Sequence, residues 1–322
     1  MWKVLGMAAA FALASGAAIS QTYPARPITV VVPYSPGGTT DVLARIIAKS
    51  MTADLGQAVV VENAGGGGGT IGTQRVARAE PDGYTLSFGN MGSLAANVAL
   101  YPKLAFDPRR DFSPIGNVAN VPMVLAVSKK SGLQDLPSFL AKLRQSTDIN
   151  IGNAGPGSTG HLAAATLLHV TRTKATLVPY RGAGPAINDL AAGVVDAVID
   201  QTVTMIPMHK GGNVVAVAVS SSVRLPQIPD VPTFAEGGVP EFGLQVWNAL
   251  VAPRGTPAAV IERLEKSLAT ALRSAEVQQR FTQFAAAIPA VEDQGAEALR
   301  KLIASDVERL GRIIDAGGIT AE

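Results

Sequence analysis

The sequence predicts an α/β protein of two lobes, each a mainly parallel sheet flanked by helices, with two crossings between them. Three observations carry this. Apolar runs of strand length alternate with helix-period segments along most of the chain. Glycine-rich turns stand at the strand-to-helix junctions. The order strand, turn, helix, strand, turn, helix, strand occurs twice, and strands alternating with helices pair in parallel through right-handed crossovers.

Taken in order, residues 1–20 read as a signal peptide. Lys3 precedes an apolar run too short to span a bilayer, and the small residues Ala18 and Ser20 fit a cleavage site that leaves Gln21 as the mature N-terminus. "ITVVVPY" is a continuous apolar strand, "PYSPGGTTDVLAR" a proline–glycine turn entering a helix that stops at Gly56, and "AVVVEN" a second strand. Five glycines, a helix through Ala79 and the strand "DGYTLSFGN" complete the first unit. The second is "INIGNAGPGSTGHLAA", "ATLVPY", "RGAGPAINDLAAG" and "VVDAVIDQ". A shift of 120 positions (156 − 36) aligns Pro36 with Pro156, Gly37 with Gly157, Gly38 with Ser158 and Thr39 with Thr159.

Residues 117–128 and 214–233 read as the crossings, "LQVWNALVAP" as a strand returning to lobe 1, and the tail from Pro257 as helices. The charges of "DVERLGRIID" fit a solvated helix face. Lobe 1 is thus 21–121 with 223–322, and lobe 2 is 122–222.

Composition narrows the function. The chain has 322 residues, 47% hydrophobic, enough for a sizeable core. It has no cysteine, which excludes thiolate catalysis, disulfides and cysteine metal sites and leaves a lipoprotein anchor unsupported. Loss of Lys3 leaves 26 cations against 25 acids. No basic run with interleaved aromatics is present, so nucleic acid is not an expected partner. His161, His169 and His209 lack a partner at metal-ligand spacing, so no metal is expected. Gly67/Gly69/Gly72 and Gly155/Gly157/Gly160 both match G-x-G-x-x-G between a strand and a helix, but the acidic residue a dinucleotide site places about 20 residues on is missing. Ser158 lacks the glycine at 156 that a nucleophile elbow requires. A catalytic constellation is absent; no cofactor is expected, and the reading tilts from enzyme to binding protein.

Ligands of parallel sheets sit outside the carboxyl ends of the strands, and lobe interfaces favour pockets. Each half supplies three such turns, and the candidate contacts lie on five of these six. In the first half they are Tyr34, Ser35, Gly37, Gly38, Thr39 and Asp41, with Asn90 after the third strand. In the second they are Asn153, Gly157, Ser158, Thr159 and His161, then Tyr180, Arg181 and Gly182, then Asp200. Glycine turns entering helices leave backbone N–H groups free for an anion, so Gly37–Asp41 and Gly157–His161 are expected to be opposing halves of a carboxylate cradle. Asp41 at a helix start is expected chiefly to shape its turn. His161 is open between ligand contact and support, and Trp247 between core and cleft wall. Asp200 is expected to influence ligand choice.

The stretches "YPARPI", "VVPYSPGGTTDVLAR", "VENAGGGGGTIG", "PDGYTL", "FSPIG", "YRGAGPAINDLAAGVVD", "PDVPTFAEGG" and "VWNALVAPRGTP", in this order, resemble the substrate-binding proteins of tripartite tricarboxylate transporters, the Bug-type receptors. Gly65, Gly67, Arg181 and Ala249 depart from common family residues. The resemblance implies a two-lobed periplasmic binding protein of type II-like fold, monomeric and soluble after export. It would take di- or tricarboxylates, aromatic acids or amino acids and hand them to inner-membrane transporter subunits. The alternatives are a sensor presenting its loaded lobe to a membrane signalling protein, or a nucleotide-dependent enzyme.

Overall fold

Continuous Val/Ile runs have no polar face to show to water, so they form strands covered on both sides. In the computed structural model, which describes residues 23–146 and 148–321, β1 (Ile28–Val32) lies between β2 (Val59–Asn63) and β3 (Thr85–Asn90), parallel to both. In the second half β5 (Asn150–Asn153) lies between β6 (Thr176–Pro179) and β7 (Ala197–Gln201), again parallel to both. The expected signal peptide and its cleavage site lie outside the described residues.

The crossings make the sheet mixed. β4 (Phe112–Ser128) runs antiparallel to β9 (Gln245–Pro253) as far as Pro122, and from Met123 onward to β7 and β8 (Val214–Val219). One strand therefore belongs to both halves, and the full order is β2-β1-β3-β9-β4-β7-β5-β6 with β8 beside β4. Where the partners change, Ser220 ties three chain segments together. Its hydroxyl accepts from Met123 N–H and donates to Leu244 C=O, while its own N–H reaches Met123 C=O.

Helices α1 (Thr39–Leu55), α2 (Thr70–Ala77), α3 (Asn97–Leu100) and α4 (Leu136–Gln145) precede α5 (Thr159–Thr171), α6 (Ala183–Ala192) and α7 (Thr202–Lys210). The tail supplies α8 (Ala258–Arg273), α9 (Ala275–Gln283) and α10 (Ala296–Gly317). Alternate residues of β1 point into two separate apolar clusters, Val30 and Val32 into one and Val31 into the other. α1 and α8 cover the first and α10 the second, so the sheet is the wall between two cores. None of these helices is long and apolar enough to cross a membrane among the described residues.

The charged run of α10 is not uniformly solvated. Asp306 is buried because it accepts from the indole N–H of Trp247 at 2.7 Å and pairs with Arg309. That contact places Trp247 in the core and leaves the cleft to smaller residues.

Candidate functional site

Both aligned turns are built by one device. Gly37 and Gly157 have φ of +84° and +83°, a conformation that side chains with a Cβ rarely adopt. Four residues on, a buried side chain captures the glycine N–H. Asp41 Oδ2 accepts from Gly37 N–H at 3.0 Å, and His161 Nδ1 accepts from Gly157 N–H at 3.3 Å. Asp41 also holds Arg45 and the Asn63 amide, so it shapes the first turn, and His161 is its counterpart in the second. Burial pushes the His161 imidazole below its ordinary value, which keeps Nδ1 free to accept. The sign follows: stability from this neutral group is present above the unfolded-state value near 6.5 and is lost as pH falls through the depressed folded value. Melting curves from pH 8 to 4 should therefore show an acid-side slope in the wild type that shrinks in His161→Leu. Equal slopes would leave His161 without this role.

Beyond the turns, four helix N-termini converge on one cavity between the two halves. Its accessible volume is about 20 Å³, room for about one water molecule, so the walls are nearly in contact. α1 contributes Gly38, Thr39 and Thr40; α5 contributes Ser158 and Thr159; α6 contributes Ala183; and Gln201 is the N-cap of α7. Three of these helices have no side-chain cap, since Gly38, Gly182 and Gln201 make no capping hydrogen bond. A helix N-terminus presents unpaired N–H groups and a partial positive charge. The lining residues include no lysine, arginine or histidine.

Of the residues expected from sequence, Tyr34, Gly38, Thr39, Asn90, Ser158, Thr159 and Asp200 line the cavity. Tyr34 donates to Asn90 Oδ1, and the Asn90 amide donates to Thr40 Oγ1, which fixes that wall. Burial raises the Tyr34 hydroxyl far above its ordinary value, so it stays protonated. Thr39 Oγ1 is buried beside the Asp200 carboxylate. Asp200 Oδ2 accepts from Thr204 Oγ1 at 2.6 Å, and burial lifts its carboxyl to about 6 despite this bond.

The others stand behind or beside this wall. Asn153 Oδ1 accepts from Gly155 N–H, and the Tyr180 hydroxyl turns away to Asp189. Arg181 is exposed at the rim, where its C=O accepts from Ser35 N–H at 3.2 Å. A Cβ on Gly182 would lie 2.5 Å from that same Ser35 nitrogen, so this glycine allows the halves to approach. Gly37 is exposed above its own helix start, and Gly157 faces Asn97 and Tyr101. Across the cleft from Gly38 lies Ala183 of α6, which differs from the expected opposition of Gly37–Asp41 to Gly157–His161. The two aligned turns are adjacent walls of one cavity, reached through Gly38, Thr39, Ser158 and Thr159.

The reading from sequence missed Thr40, Ala154, Ala183 and Gln201, although each lies on or beside a flagged turn. The glycine fingerprints serve a different purpose from phosphate binding. A Cβ on Gly68 would fall 1.7 Å from Pro156 C=O, so the two glycine segments pack backbone on backbone where a pyrophosphate would need to sit.

This architecture has solved relatives. MatC (Rpa3494) from Rhodopseudomonas palustris, solved with bound malate, is 38% identical with a TM-score of 0.87, covering 91% of this chain and 100% of that one. The periplasmic binding protein BugD is 36% identical with a TM-score of 0.89, covering 92% and 99%. Rpa4515 of R. palustris, solved with adipate, is 32% identical with a TM-score of 0.87, again covering 92% and 99%. Residues 43–319 match the family described as tripartite tricarboxylate transporter family receptor, TctC. The chain therefore belongs to this family of solute-binding receptors, whose Bug-type members its sequence resembles.

Proposed function

We propose that this protein is a periplasmic receptor that captures a small organic carboxylate between its lobes and delivers it to a tripartite tricarboxylate-type transporter. The observation that carries the reading is the convergence of four helix N-termini on a cavity without a cationic side chain. Such ends bind anions through backbone N–H groups and dipoles. An arginine clamp is then not needed. The malate and adipate held by the two relatives are small dicarboxylates of the kind such a cavity suits. The lobes are taken as 21–121 with 223–322 and as 122–222. The change of β4 partners after Pro122 supports the first boundary. A small anion enclosed by both lobes requires them to open and close.

The test is calorimetry on protein unfolded in denaturant and refolded free of ligand. Malate, adipate and other small organic acids are expected to give saturable binding of one ligand per chain, and NAD and ATP none. Binding of NAD or ATP without any response to carboxylates would overturn the reading. Delivery is tested with reconstituted transporter subunits, where uptake of the bound acid should require the receptor.

A further inference from the structure

We infer that Asp200 makes this cleft selective for carboxylates bearing a hydrogen-bond donor beside the bound carboxylate, an α-ammonium above a hydroxyl and a hydroxyl above a bare methylene. The inference rests on the carboxylate-receptor reading and names the ligand class within it.

The argument is one of charge placement. Eleven residues line the cavity, and Asp200 is the one carboxylate among them. It is 4% exposed and lies at the penultimate position of β7, with Thr204 bonded to Oδ2. Thr39 at the start of α1 stands beside the same carboxylate, and the start of α6 supplies Ala183 to the lining. Asp200 is thus the one negative charge in a wall otherwise built from helix N-termini, and it stands beside that of α7. The other titratable group in the wall, Tyr34, stays neutral, and His161 lies behind its turn on Gly157 N–H.

A plain dicarboxylate brings two negative charges into a nearly closed space beside a third. Burying like charges without a counter-charge is costly. An α-ammonium supplies that counter-charge and a charge-assisted hydrogen bond. An α-hydroxyl supplies a donor without the charge. A methylene supplies neither and leaves Asp200 facing the anion directly.

The test is a titration of matched four-carbon and five-carbon acids into refolded protein: aspartate, malate and succinate, then glutamate, 2-hydroxyglutarate and glutarate. In the wild type each step from ammonium to hydroxyl to methylene should weaken binding about 10-fold or more in whichever chain length binds. In Asp200→Asn the spread should shrink to within about 3-fold, chiefly because the plain diacid gains. Asp200→Ser, which keeps a hydroxyl opposite Thr204, serves if the asparagine variant does not fold, and the wild-type order alone tests the ranking. If the plain diacid binds as tightly as its amino and hydroxy analogues, the inference is wrong while the receptor reading stands. An unchanged order in both variants would also overturn it and make Asp200 a capping residue of α7. If none of the six acids binds while adipate or another organic acid does, the inference falls and the receptor reading stands.

Discussion

Gly38→Val is expected to abolish carboxylate binding, with at least a 100-fold loss of affinity by calorimetry and an unchanged far-ultraviolet circular dichroism spectrum. The fold should survive because Gly38 has φ −84° and ψ 168°, an extended conformation open to any residue and well suited to a β-branched one. The cleft should not. A Cβ at this position already stands 3.3 Å from the Ala183 Cβ and 3.7 Å from its nitrogen. The two γ-methyls of valine reach further, either into a cavity with little room to spare or against the start of α6. Each outcome holds the halves apart and covers the N–H groups of α1 that would face the anion. Full affinity in Gly38→Val would reduce the turn to a connector.

Asp41→Ala should cost about 1–2 kcal/mol of stability, because it removes the charged acceptor of the Gly37 N–H and one of the two acceptors of the half-buried Asn63 amide. A urea titration should show an earlier midpoint with little change in slope. The pH dependence carries a definite sign. Burial alone would raise this carboxyl, but the Arg45 guanidinium, the Gly37 N–H and Asn63 outweigh it and hold the group below its ordinary value. Its contribution is thus complete above the unfolded-state value and lost as pH falls through the depressed folded one. The wild type should lose its advantage over Asp41→Ala in acid below about pH 4. A constant difference across that range would show that the ion pair and turn contribute nothing through charge.

The parts of this fold that local chemistry determines were readable before any coordinates. The Val-rich runs of β1 and β2, bounded by proline and glycine, read as buried strands, and the proline–glycine turns before α1 and α5 announced their shared geometry down to Gly37 and Gly157. Three things were not readable, each for a physical reason. α7 is buried at every residue from Thr202 to Ile206 and carries Pro207 inside, so it has no polar stripe to betray a helical period. The seating of Ala183 against Gly38 depends on how two lobes meet, and residues 145 positions apart (183 − 38) leave no local trace of that. Asp306 looked like one charge among several on α10, because its partner Trp247 lies on a strand 59 positions away (306 − 247). For the same reason the turns were legible as neighbours of the cavity, yet which side of each turn faces it had to come from the packing.

The shared strand β4 has a mechanical consequence. Because the backbone passes from one half to the other without leaving its hydrogen-bonded ladder, a change in the angle between the halves must be taken up as torsion along an extended rod. Pro122, lacking an N–H, sits just where the ladder changes hands. Ser220 pins that rod to the two neighbouring segments at a single point. Such a joint has a defined axis and little play sideways, unlike a tether of loose loop. The jaws of this receptor would swing along one path, so each closure brings the same donors to the same place.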